Sequence, residues 1–165
     1  PQTATYIKPE NFYNDFDKYI KVIKKVDIYE IANYNSTNKT ISNTGNDLPK
    51  AVYIIPDGSS VGRQINNGEI RFWIDVNGPY KKPNRYGFDI FEFRITSKND
   101  AIVPIKQDKF YTEEELKNEP FPYISGRPCN KQSKQELNGI GCSWFAINNI
   151  NPDDSQKKYW SSLPW

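Results

Sequence analysis

Two stretches of strand character, Glu69–Val76 and Phe88–Ile95, constrain the fold of this chain more than any other feature. Both are rich in the β-branched and aromatic residues that suit a pleated, half-buried surface. In the second, Phe88, Ile90, Glu92 and Arg94 point one way, while Asp89, Phe91, Phe93 and Ile95 are expected mostly to meet a core. Between the runs lies Asn77–Gly87, a rigid connection built from Pro, Gly and Asn. Shorter strands are expected at Ala51–Ile55, at Ser60–Arg63 after a Pro56–Ser59 turn, and around Ala101–Ile105. Ser143–Ile147 reads as a last strand or a buried turn.

The period differs upstream. Phe12, Phe16, Tyr19, Ile20, Ile23 and Val26 recur at steps of three or four, and Pro9 and Glu10 suit a first turn. The spacing predicts a helix over about 9–31 whose apolar stripe packs on a sheet, with Lys18, Lys21, Lys24 and Lys25 solvated. Residues 33–50 read as loop. One helix followed by a run of strands is an α+β pattern, here a single domain over 1–165. Its parts are the helix, an antiparallel sheet over about 51–105, and a C-terminal region over about 120–165.

Composition narrows the chemistry. Aromatic residues make up 15% of the chain, enough apolar material for a core and against a disordered chain. Lys and Arg number 22 against 20 Asp and Glu, and they are interspersed, so nucleic acid is not an expected partner. There is no His, which removes the usual neutral-pH proton shuttle and the commonest transition-metal ligand. Only carboxylate, Lys or Tyr catalysis would remain. The richest acidic runs, Glu113–Glu115 and Asp153–Asp154, read as solvated, so no catalytic residues are assigned. No apolar run is long enough to span a membrane. A chain opening on Pro1 rather than Met is expected to be processed or shortened.

Cys129 and Cys142 are the only cysteines and flank a polar, turn-rich segment. In a cytosolic protein they would be buried thiols; in an exported one they would close a loop, worth roughly 3 kcal/mol for a loop of about 15 residues. The disulfide is the preferred reading.

The connection after Trp73 carries a resemblance. Asp75, Asn77, Gly78, Pro83, Asn84, Gly87, Asp89 and Phe91 resemble the D-x-N-G-x-x-x-x-P-N-x-x-G-x-D-x-F signature of type IV pilin-like proteins with a prepilin cleavage and methylation segment. Cys129 and the later Asn138, Gly139, Gly141, Cys142 and Trp144 are similar to a segment near the end of such proteins. Phe12–Ile23 is similar to the helix that they place before the sheet. The resemblance implies a pilin-like head whose partners are other subunits, joined through a long N-terminal helix that this sequence lacks. It implies an extracellular, cell-surface filament of a bacterium, either a type IV pilus or a type II secretion-like assembly, membrane-anchored before assembly and able to mediate adhesion. Cys129 and Cys142 correspond to the pilin disulfide region.

Two candidate sites follow. Asp75, Asn77, Asn84 and Asp89 offer oxygen ligands suited to calcium, the one cofactor considered, and related pseudopilins carry calcium near the sheet end. The spacing is not that of an EF-hand, and Lys81, Lys82 and Arg85 crowd the loop. The preferred alternative is that these side chains bond the backbone of two successive turns. Trp160 and Trp165, in a polar tail, could stack on sugar rings or prolines. That would make the chain an adhesin module for a host or surface glycan or protein, although burial of the tail is preferred.

Overall fold

The alternating runs pair into one antiparallel sheet. In the computed structural model the described residues are 18–27, 31–32, 40–41, 51–66, 69–96, 101–107, 128–130 and 138–163. The sheet contains β1 (Lys24–Asp27), β4 (Ala51–Ile54), β5 (Ser60–Asn66), β6 (Glu69–Asp75), β7 (Ile90–Thr96) and β8 (Ala101–Pro104), in the order β1-β4-β5-β6-β7-β8. A separate ribbon joins β2 (Ile31–Ala32) to β3 (Thr40–Ile41). The β4–β5 hairpin turns where its residues require it. Gly58 adopts φ +88°, and Asp57 Oδ1 accepts the Ser59 N–H and hydroxyl. Those two hydrogen bonds hold the Asp57 carboxyl below its ordinary range.

The expected α+β arrangement, with a helix over 9–31 packed on the sheet, is overturned: among the described residues the fold is mostly β. Residues 9–17 and 28–30 lie outside the described residues. Helical backbone at Lys18 and Tyr19 ends in a bend at Ile20, and Lys24–Asp27 is a strand paired with β4. Two members of the proposed stripe, Tyr19 and Ile23, are 86% and 63% exposed rather than packed. The physical reason is competition. Val22, Ile23 and Val26 favour extended backbone, and β4 offers an unpaired edge; the Ile23 N–H donates to the Ile54 carbonyl (2.8 Å) just before β1 begins. Hydrogen bonds to a neighbouring strand outweigh a helical period that has nothing to pack on.

A second departure lies in the core. Neighbouring strand residues point to opposite faces, yet Ile90 and Phe91 are both buried, so each face of the sheet is covered at its centre. On one face Val52, Trp73 and Ile90 pack with Tyr86 and Ile140. On the other, Phe91 packs with Cys129, Cys142, Phe145, Ala146 and Tyr159. Each large apolar side chain so buried contributes about 1.5–3 kcal/mol.

One C-terminal segment serves both faces. A 3₁₀ turn (Ile140–Cys142) runs into a short helix, α1 (Ser143–Asn148), where a last strand or buried turn was expected. It wraps the β7 edge where β8 has ended. The Ile105 N–H donates to the Glu92 carbonyl, and the Glu92 N–H, on the same side, donates to Ser143 Oγ (2.8 Å). A serine hydroxyl thus replaces a strand partner. Ile140 then reaches one face and Phe145 the other. Glu92 itself is buried beside Arg71 (3.6 Å). Among the described residues no helix is long and apolar enough to cross a membrane.

Candidate functional site

The connection between β6 and β7 forms a cap across one end of the sheet. It leaves β6 at Asp75, passes the β4–β5 turn, where a Cβ on Gly78 (φ +85°) would overlap the Gly58 carbonyl, and reaches β1, where Lys24 Nζ donates to Tyr80 Oη (3.1 Å). It returns to β7 through Asn84–Asp89, where the Val76 N–H donates to the Asp89 carbonyl (2.8 Å). Only glycine permits the crossing at residue 78 without displacing the adjacent turn.

The four candidate ligands come together in this cap. Asp75 Oδ1 accepts the N–H groups of Asn77 (3.2 Å) and Gly78 (2.9 Å). Asp89 Oδ2 accepts the Asn84 N–H (2.9 Å) and Asn77 Nδ2 (3.2 Å), and its Oδ1 accepts the Arg85 N–H (2.6 Å). Asn84, with φ 50°, donates its Nδ2 to the Pro79 carbonyl (3.0 Å). Both carboxylates are buried, at 0% and 4% exposure. They act as pegs for two turns, each satisfying backbone donors that the irregular chain would otherwise bury unpaired.

That arrangement tests the fit to calcium. Asp75 Oδ1 and both Asp89 oxygens already accept N–H groups, and N–H groups, not lone pairs, face them. The buried Asn77 Oδ1 and Asn84 Oδ1 take no hydrogen bond, and even counted together with Asp75 Oδ2 they make three oxygens, well short of the six to eight ligands calcium takes. No group of three or more His, Cys, Asp and Glu side chains gathers among the described residues. As placed, the residues fit a turn lock and not a calcium cage. Millimolar calcium is therefore expected to leave the thermal midpoint unchanged; a rise of several degrees would contradict this reading.

The lock also sets the cost of breaking it. Asp89→Ala orphans the Asn84 and Arg85 N–H groups and the Asn77 amide at once. At about 1–3 kcal/mol for each buried donor left unmet, the expected loss is about 3–5 kcal/mol, read as a lowered urea midpoint. A loss under about 1 kcal/mol would show that the cap holds without its peg.

The second constellation is the disulfide Cys129–Cys142, present as expected and consistent with an exported protein. Both cysteines are buried. The neck of the loop they close is sealed again by the Gly139 N–H on the Pro128 carbonyl (2.8 Å). Asn138 clamps Asn130 like a strand partner, accepting its N–H (3.1 Å) and donating to its carbonyl (2.8 Å). Gln107, beyond β8, accepts the Cys129 N–H (2.9 Å) and ties the neck to the sheet.

The tail docks on both constellations. The Tyr159 hydroxyl donates to the Gly87 carbonyl in the cap, and burial pushes its phenol far above the ordinary range, so it stays a neutral donor. Trp160 donates its Nε1–H to the Ala146 carbonyl (3.0 Å) and sits edge-on to Phe91 and Tyr159, yet remains 46% exposed. The indole is thus fixed, with part of its ring in solvent. Trp165 and Glu113–Glu115 lie outside the described residues. Asp154 pairs with Lys157 (3.0 Å) in solvent, and its hydrogen bond to that lysine holds its carboxyl below the ordinary range.

The sequence had pointed to the cap and the cysteines but not to Tyr159, Ser143, Gln107 or the Arg71–Glu92 pair. Those act through partners between 21 and 72 positions away, and no local pattern marks them. No protein-family model, curated protein or solved structure matches this chain.

Proposed function

We propose that this chain is a non-catalytic head of a pilin-like subunit, displayed on an extracellular bacterial filament. The observation that carries the reading is what the motif residues do. Asp75, Asn77, Gly78, Asn84, Gly87 and Asp89, which carry the resemblance, are the residues that lock the cap, and Gly87 also receives Tyr159 from the tail. A motif spent on backbone closure suits a structural subunit better than an enzyme, whose motif residues would point at a substrate. The disulfide supports an exported location. The partners on this reading are further subunits, joined through an N-terminal helix outside this sequence, so nothing here requires a helix packed on the sheet.

The encoding gene tests it. The reading expects a prepilin junction and a hydrophobic segment directly upstream of Pro1. A conventional signal peptide followed by another domain would overturn it. A second reading, adhesion through an exposed aromatic, draws on the fixed, half-exposed indole of Trp160. It expects glycan-array binding that disappears in Trp160→Ala while the melting midpoint is kept.

A further inference from the structure

We propose that the capped end of the sheet is a docking surface for an anionic lipid bilayer, a role separate from the filament reading. The cap crest, Tyr80, Lys81, Lys82 and Pro83, is exposed over its whole length, and Tyr80 is 67% exposed. Beside it, at the start of β1, Ile23 is 63% exposed and Lys24 holds its Nζ on the Tyr80 hydroxyl (3.1 Å), 5.4 Å from the ring centroid. Lys21, also exposed, precedes them. The exposed acid of the neighbouring β4–β5 turn, Asp57, has its Oδ1 held by Ser59, and Asp75 and Asp89 are buried in the lock. Lys24, Lys81 and Lys82 thus stand together, exposed, at this end of the sheet.

Lysines beside a half-solvated tyrosine and an unburied isoleucine match the chemistry of a membrane interface. Lysine is drawn to anionic headgroups, Tyr settles at headgroup level, and an aliphatic side chain gains by leaving water. The shape decides against an acidic sugar polymer as occupant. Small-ligand sites are concave with converging polar groups, whereas this crest is exposed over its whole length and carries separate cations. The lock beneath makes the crest rigid: Asp75, Asp89 and the Asn84–Pro79 hydrogen bond fix the backbone on both sides of Tyr80. Docking therefore costs little ordering entropy.

The test is co-sedimentation of the full 165-residue chain with phosphatidylglycerol–phosphatidylcholine vesicles, against vesicles of phosphatidylcholine alone. Binding is expected only to the anionic vesicles and is expected to fall as salt is raised. Lys81→Gln with Lys82→Gln should weaken it about twenty-five-fold, at about fivefold for each lysine near the surface. Lys81→Arg with Lys82→Arg should retain it, and unchanged melting midpoints separate lost contact from lost fold. Three results would overturn the proposal: no binding to anionic vesicles, binding indifferent to the Gln pair, or stronger retention on immobilised alginate than on vesicles. Because the assay needs no filament, its failure leaves the subunit reading standing, and a wrong gene context leaves the assay standing.

Discussion

Gly62→Val is expected to destabilise the protein by about 3–5 kcal/mol, although valine is the better strand former. The reason is a close approach at the centre of the sheet. Gly62 pairs with Val52 on one side and Trp73 on the other, and all lie on the same face. The Trp73 ring lies against the glycine, so a Cβ at residue 62 would overlap its Cε2 and Cζ2 atoms. The ring cannot step aside, because it is 2% exposed and packed with Val52, Tyr86, Ile90 and Ile140. Either the indole leaves the core or the β5–β6 pairing breaks, and each costs about as much as deleting the ring. Gly62→Ala should already be destabilising, and adding Trp73→Phe should recover part of the loss by shortening the ring. A melting midpoint that rises in Gly62→Val would mean that strand propensity, not this contact, governs the site.

Removing the disulfide is expected to cost about 2–5 kcal/mol, a fall in midpoint of about 4–20 °C for a domain of this size. Cys129→Ala with Cys142→Ala is the cleaner variant, since serine would add hydroxyls to a cluster of Phe91, Phe145, Ala146 and Tyr159. The bridge does more than close a loop. It anchors the segment that covers both faces, so the variant should also expose Trp144 and Trp160, visible as red-shifted tryptophan emission. Burial of both sulfurs implies that mild reductant leaves the bridge intact until denaturant is added. Thiol labelling of the folded protein under such reductant would contradict that, as would a midpoint shift under about 2 °C in the double alanine variant.

What could be read from the sequence divides along the range of the forces involved. The β4–β5 hairpin, β6, β7, β8 and the cap were legible because turn chemistry and period-two alternation are local. The coverage of both faces had a signal that alternation hides: Phe72-Trp73-Ile74 is an unbroken apolar run, which a strand covered on one face alone does not need. The helix over 9–31 was misjudged because a 3.6 period in Tyr19, Ile23 and Val26 says nothing about a free strand edge at β4, which captured Lys24–Asp27. The segment 143–148 was ambiguous for a related reason. A short apolar run between a cysteine and an asparagine takes its conformation from the disulfide and from Ser143 at the β7 edge. Of the candidate site, the cluster of Asp75, Asn77, Asn84 and Asp89 and its preferred role, bonding the backbone of the turns, could be read from residue type and spacing, but which backbone donor each oxygen takes could not.

The central claim, a filament subunit, is tested most directly by shearing the surface of the cells that encode the chain and probing the sheared fraction with antibody to this domain. The account expects labelled filaments by immunogold microscopy, and their loss when the prepilin peptidase is deleted. Antigen found only as a soluble monomer in the medium, unaffected by that deletion, would contradict it.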